Sequence, residues 1–166
     1  MDDGKMSVPT TRIFLVIFIL IFVCRTPAAT QERFIDNGDG TVTDLRAGLM
    51  WAQTDNQKDI FWRQAAEWIR DSFAARLDQK YANWRLPTVA ELQSLYLTDP
   101  TYHGYRASCG YAVKMIPQIN LSCILVWSSD SALGLPLAFN YYLGDAFTVD
   151  LNDNAGCRVL AVRNIR

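Results

Sequence analysis

Residues 83–92, Asn-Trp-Arg-Leu-Pro-Thr-Val-Ala-Glu-Leu, constrain the fold more tightly than any other ten residues of the chain. Pro87 holds Leu86 in an extended conformation, because the proline ring crowds the helical geometry of the residue before it. A strand-like segment must therefore end there. Thr88 and Glu91 then form a capping-box pair: the Thr hydroxyl accepts from the Glu91 N–H, and the Glu carboxylate accepts from the Thr88 N–H. Extended chain, stop and helix start are encoded within ten positions.

Around this punctuation the hydrophobic pattern changes period twice. Phe34 and Ile35 precede the turn cluster Asn37-Gly38-Asp39-Gly40, and Thr41-Val42-Thr43 resumes a β pattern, which predicts a hairpin. Leu49, Met50 and Trp51 read as a buried strand end. Residues 60–78 predict a helix, with Phe61, Ala65, Ile69, Phe73 and Leu77 at i+4 steps and Trp62, Ala66 and Trp68 widening the apolar face. A second helix is expected over about 88–98, burying Val89, Leu92 and Leu95. Residues 99–119 are rich in Gly, Tyr and Ser and predict a long irregular excursion, a feature that in small domains accompanies function or mobility. Four β-prone runs follow, 124–127, 137–142, 146–151 and 158–163, separated by turn residues, and predict an antiparallel meander. The expected class is α+β, with two helices, an antiparallel sheet, and paired N- and C-terminal strands.

The N-terminus reads differently. Ile13 to Val23 is an unbroken run of eleven apolar residues, preceded by Arg12 and followed by the small residues Ala28 and Ala29. A membrane-spanning helix needs about 20 apolar residues, so the pattern fits a secretory signal peptide over 1–29, ahead of a domain over 30–166. An uncleaved signal anchor is the alternative. Export would place the domain outside the cytoplasm, in the periplasm, on the outer surface or secreted. Without Lys5, Arg12, Arg25, Asp2 and Asp3, the 16 basic and 17 acidic side chains fall to 13 and 15. Neither a net excess nor a run of basic residues exists to hold nucleic acid.

Cys109, Cys123 and Cys157 follow the leader. An oxidising compartment allows one disulfide among three pairings; Cys109–Cys123 is preferred because it closes a short loop. No metal is expected, since CxxC is absent and His103 is the only histidine. Asp36, Asn37, Asp39 and Asp44 invite a calcium reading, but their spacing departs from an EF-hand and no Glu closes the loop, so a solvated turn is the better reading.

Four pieces stand in order: NGDGTVTDLRAGLMW (37–51), the tryptophan-bearing helix (60–78), WRLPTVAEL (84–92), and VWSSD followed by RVLAVR (126–130, 158–163). Together they resemble the C-terminal domain of Legionella collagen-like adhesins, over nearly the whole segment after the leader. The resemblance implies a C-type lectin-like fold and binding of surface polysaccharide, with glycosaminoglycan as the ligand class. The chain departs from calcium-dependent lectins, which argues against a calcium-held sugar: their Pro triplets are missing, and Leu151-Asn152-Asp153 has leucine where those proteins carry tryptophan. The formylglycine-generating relatives share a similar WRLPT run but need a close cysteine pair near the C-terminus, and Cys157 stands alone there. Their iron-dependent relatives need several histidines. No nucleophile elbow is present. The expectation is a binding module without catalysis or cofactor, its partner a glycan or an envelope protein. A structural or assembly subunit of a cell-envelope complex is the alternative.

Sugars are held by aromatic faces and planar polar groups. Trp127, Ser129, Asp130, Asn140, Tyr141, Asp150, Asn152, Asp153 and Asn154 are therefore the candidate ligand contacts, with the 99–119 excursion as an edge. Arg85 and Arg163 are expected to bridge backbone or carboxylates instead.

Overall fold

A four-stranded antiparallel sheet gathers both ends of the domain, in the order β1 (Phe34–Asp36), β2 (Thr41–Asp44), β3 (Leu49–Ala52) and β9 (Val162–Asn164). The computed structural model describes Met1 and residues 32–77 and 80–165; the expected leader, apart from Met1, lies outside them. The β1–β2 hairpin closes where Asn37 N–H reaches the Thr41 carbonyl at 3.0 Å, and the Asn37 amide donates to Thr41 Oγ1 at 2.9 Å. Gly38 and Gly40 take φ of 71° and 83°, where a side chain would be strained.

The first and last strands share this sheet but do not pair, which corrects the expectation. β9 lies against β3, with Trp51 opposite Val162, and β1 holds the other edge. The reason is burial. All four β3 residues are buried, whereas β1 buries only Phe34. A strand covered on both faces needs neighbours on both sides; a half-exposed one tolerates an edge.

The long helical run is shorter than its apolar pattern. Phe61 serves as the N-cap of α1 (Trp62–Trp68), a π-helical turn spans Ile69–Phe73, and α2 (Ala74–Arg76) closes the run. Ala65, Ile69 and Phe73 point into the core. The capping box forms as written: Thr88 Oγ1 accepts from Glu91 N–H at 3.2 Å, and Glu91 Oε2 accepts from Thr88 N–H at 2.8 Å. Yet α3 covers only Val89–Gln93 rather than 88–98. Beyond it the chain straightens to pair elsewhere: Leu97 N–H bonds the Lys114 carbonyl at 3.1 Å and Ile116 N–H bonds the Leu95 carbonyl at 3.2 Å. Pairing with a later segment of the same chain replaces further helical bonds.

The excursion carries its own hairpin, β4 (Tyr105–Arg106) and β5 (Ala112–Val113). Three of the four late β runs form the meander, as β6 (Leu125–Ala132), β7 (Leu135–Asn140) and β8 (Asp145–Thr148). The fourth does not extend it. Arg158 makes one parallel bridge to Val126, and the chain then crosses to become β9. One continuous core joins the two sheets, built on Trp51, Trp127, Phe139, Tyr141, Ile69 and Leu92.

Candidate functional site

The nominated residues do not converge. Trp127 and Tyr141 are both 0% exposed, so neither touches a ligand; this corrects the sequence reading. Their polar atoms are also spent: the Trp127 indole donates to the Ile60 carbonyl at 2.7 Å, and the Tyr141 hydroxyl donates to the Leu92 carbonyl at 2.8 Å. Both side chains tie the β6–β7 sheet to the helical half. Asp130 caps α3 from outside, accepting from Val89 N–H at 2.8 Å, and exposed Ser129 donates its N–H to the Pro87 carbonyl.

The remaining candidates shape turns. Asn140 Oδ1 accepts from the N–H groups of Tyr142 and Leu143. Asp150, Asp153 and Asn154 each accept from the N–H two residues on, at Asn152, Ala155 and Gly156, the Asx pattern these side chains favour. Arg85 pairs with Glu91 at 2.7 Å, and Arg163 donates to the Ala82 carbonyl, in line with their expected bridging roles.

A different set of residues does converge. Beside the Cys109–Cys123 disulfide lies a polar cavity of about 500 Å³, lined by Thr54, Asp55, Gln57, Arg106, Ser108, Asn120, Ser122 and Arg158 among others. Four separate segments bring these groups together. Thr54 bridges Asn120 in parallel, and Asn120 N–H bonds the Gln53 carbonyl at 2.8 Å. Cys109 N–H bonds the Ser122 carbonyl at 3.2 Å, and the disulfide locks the same two strands of chain with a Cα–Cα distance of 5.3 Å. Cys157 is free and buried.

Asp55 is the floor of the cavity. Its carboxylate is 0% exposed and accepts from Ser122 N–H at 2.7 Å, Ser122 Oγ at 2.9 Å and Gln57 N–H at 2.8 Å. Burial pushes its pKa above the ordinary 3.8, against the opposing pull of those donors and of Arg158. Tyr105 lies behind the floor, taking the Leu121 N–H at 2.5 Å, and burial pushes its hydroxyl up to about 12. Arg158 lines the wall: its Nε donates to Ser122 Oγ at 2.8 Å, and its Nη1 binds the Gly156 carbonyl and pairs with Asp59. Arg106 is exposed and has no ion-pair partner among the described residues. The cavity thus presents one fixed guanidinium, one free guanidinium and a rim of amide and hydroxyl groups. Guanidinium groups in such a setting can form charge-assisted hydrogen bonds with an anionic group.

A larger groove of about 950 Å³ runs between α3, the β2–β3 turn and the end of β9. Its charged groups are already committed to the fold. Glu91 serves both the Thr88 N–H and Arg85, and Arg85 also donates to the Leu86 carbonyl and Asn164. Little polarity is left there to select a ligand.

Sequence reasoning missed Asp55, Arg106, Ser122 and Arg158. The available signal was slight: a charged residue three positions before a disulfide cysteine, and an Asp-Asn pair beginning three residues after a buried strand. Among the described residues no group of three or more His, Cys, Asp or Glu side chains is placed to hold a metal ion. None of their helices is long and apolar enough to cross a membrane. Residues 40–163 match the family model described as the Lcl C-terminal domain. No curated protein and no solved structure matches the chain.

Proposed function

Because this chain belongs to the Lcl C-terminal domain family, we propose that it is a non-catalytic adhesion module acting outside the cytoplasm. Its ligand is an anionic glycan of a cell surface or matrix, and its binding site is the polar cavity beside the disulfide. The observation that carries this reading is that Arg106, which has no ion-pair partner among the described residues, lines the same cavity as a wall-fixed Arg158, above a buried Asp55 whose carboxylate is held by Ser122 and Gln57. A charged saccharide offers the complement, carboxylate or sulfate for guanidinium and hydroxyls for the rim. The proposal extends to a C-type lectin-like architecture. A sheet holding both domain ends, two helical segments and a disulfide-braced loop region support it.

Catalysis is not part of the proposal. The free thiol of Cys157 is buried and pushed up to about 12, the opposite of an activated nucleophile. His103 is exposed.

The test is a glycan array and a heparin column run with the purified chain and its Arg106→Ala variant. Retention should fall with rising salt, and Arg106→Ala should elute at clearly lower salt. A chain that ignores every glycan, or a variant that elutes with the wild type, would remove this reading. Co-purification with an envelope protein in that case would favour an assembly role.

A further inference from the structure

We propose that Tyr111 and Tyr142 form a second, aromatic subsite that stacks the uncharged face of a pyranose ring. This deepens the glycan-binding reading and rests on it. The two rings come from turns far apart in sequence. Tyr111 ends the β4–β5 loop, immediately before β5, and Tyr142 lies in the β7–β8 turn, yet their centroids are 6.4 Å apart at an interplanar angle of 62°. Both stand out in solvent, at 57% and 47% exposure, and the neighbouring Leu143 is 66% exposed.

Exposed aromatic residues scattered singly need no account. Here each turn is pinned, so the pair is built rather than incidental. On one side, Ala107 N–H bonds the Tyr111 carbonyl at 2.9 Å and Gly110 N–H bonds the Ala107 carbonyl at 2.9 Å, while the disulfide fastens Cys109 beneath them. On the other, Asn140 Oδ1 takes the Tyr142 and Leu143 N–H groups at 2.9 and 3.2 Å. Gly144 has φ of 84°, and a Cβ there would sit 2.7 Å from the Tyr96 ring, so the turn lies flat on Tyr96. The chain just past β5 is tied to the second turn: Lys114 N–H bonds the Tyr141 carbonyl at 2.9 Å. Tyr141 points into the core, and Tyr142 is turned outward.

Two features favour a sugar as occupant. The apolar patch is small, two rings and one leucine, against the roughly 800 Å² per partner of a stable protein interface. It also shares a hairpin with the polar cavity: Arg106 to Cys109 line the cavity and Tyr111 follows two residues later. A tilted ring pair presents a face to the C–H groups of a pyranose, while the ring hydroxyls remain in water. Rigid aromatic groups do this at little cost in entropy. An oligosaccharide reaching across the hairpin would then meet guanidinium at one residue and tyrosine at another.

The experiment is saturation-transfer NMR and titration with unsulfated neutral oligosaccharides, using the full chain and its Tyr111→Ala, Tyr142→Ala and Tyr142→Phe variants, with near-UV dichroism as a fold control. The expected result is transfer to pyranose C–H protons, affinity roughly fivefold to tenfold weaker in each alanine variant, and retention of binding in Tyr142→Phe. Neutral sugars that fail to bind, or alanine variants that bind as the wild type does, overturn the subsite. So does a wild-type chain whose self-association disappears in the alanine variants, because a second copy would then be the occupant. If heparin retention still depends on Arg106 in any of those cases, the cavity reading survives and only this inference falls. If that dependence is lost as well, both fall.

Discussion

The capping helix and the disulfide hairpin treat charge in opposite ways. Around α3 the charged groups that line the groove serve the fold: Glu91 closes the capping box and holds Arg85; close by, Asp130 caps Val89, and Asp44, fully buried, holds Arg33 and the N–H groups of Arg46 and Ala47. Around the Cys109–Cys123 bridge, Arg106 has no ion-pair partner among the described residues and the Asp55 carboxylate is buried at a cavity floor. A region whose polar groups satisfy one another has little capacity to recognise anything else. A region braced covalently can leave some of them free.

The largest test of this contrast is Trp127→Ala. If Trp127 is core, as its burial and its bond to Ile60 indicate, truncation costs about 3–5 kcal/mol of stability in urea unfolding. A variant that stays as stable as the wild type but loses ligand would return Trp127 to the binding surface.

Next comes removal of the disulfide by Cys109→Ser with Cys123→Ser. The 14-residue separation predicts a loss of about 3 kcal/mol. Hydrogen exchange should accelerate across 104–123 while β2 and β3 stay protected. Uniform acceleration throughout would show that the two regions are not separable.

Thr88→Ala, on the other side of the comparison, should cost about 1 kcal/mol and leave ligand retention unchanged. A large binding defect from that variant would bring α3 into the site.

The smallest effect is a difference of sign with pH. Burial opposes the charge on Glu91, but the bonds from Arg85 and Thr88 outweigh it, so its folded value lies below the ordinary 4.5. Its stabilising contribution is present above 4.5 and is lost as pH falls through the folded value. Asp55, raised by burial, runs the other way: its contribution is complete below 3.8 and is lost as pH rises through the folded value. Carbon-detected NMR titration should place the Asp55 midpoint above 3.8 and the Glu91 midpoint below 4.5. Shifts in the same direction would erase the electrostatic distinction between the regions.

What could be read before folding was the local chemistry. Thr88 and Glu91 announce a helix start because the partners are three residues apart. The i+4 series from Ala65 to Phe73 marks a buried face because those side chains share one side of a helix. The end of α3 was not legible in this way, since it is imposed by residues 114–116, which offer backbone partners to Leu95 and Leu97. The nominated aromatics failed for a related reason. Residue type suggested stacking, but Tyr141 faces inward while Tyr142 and Tyr111, which were not nominated, face outward.

The sequence by itself determined the helix starts, the first hairpin, the turn chemistry and the family resemblance, because each depends on neighbours a few positions apart. Only the tertiary structure decided that β9 lies beside β3, and that Asp55, Arg106, Ser122 and Arg158 enclose one cavity. Those groups are separated by as many as 103 positions, from Asp55 to Arg158. What brings them together is burial of a common core, and no local pattern of side chains encodes that.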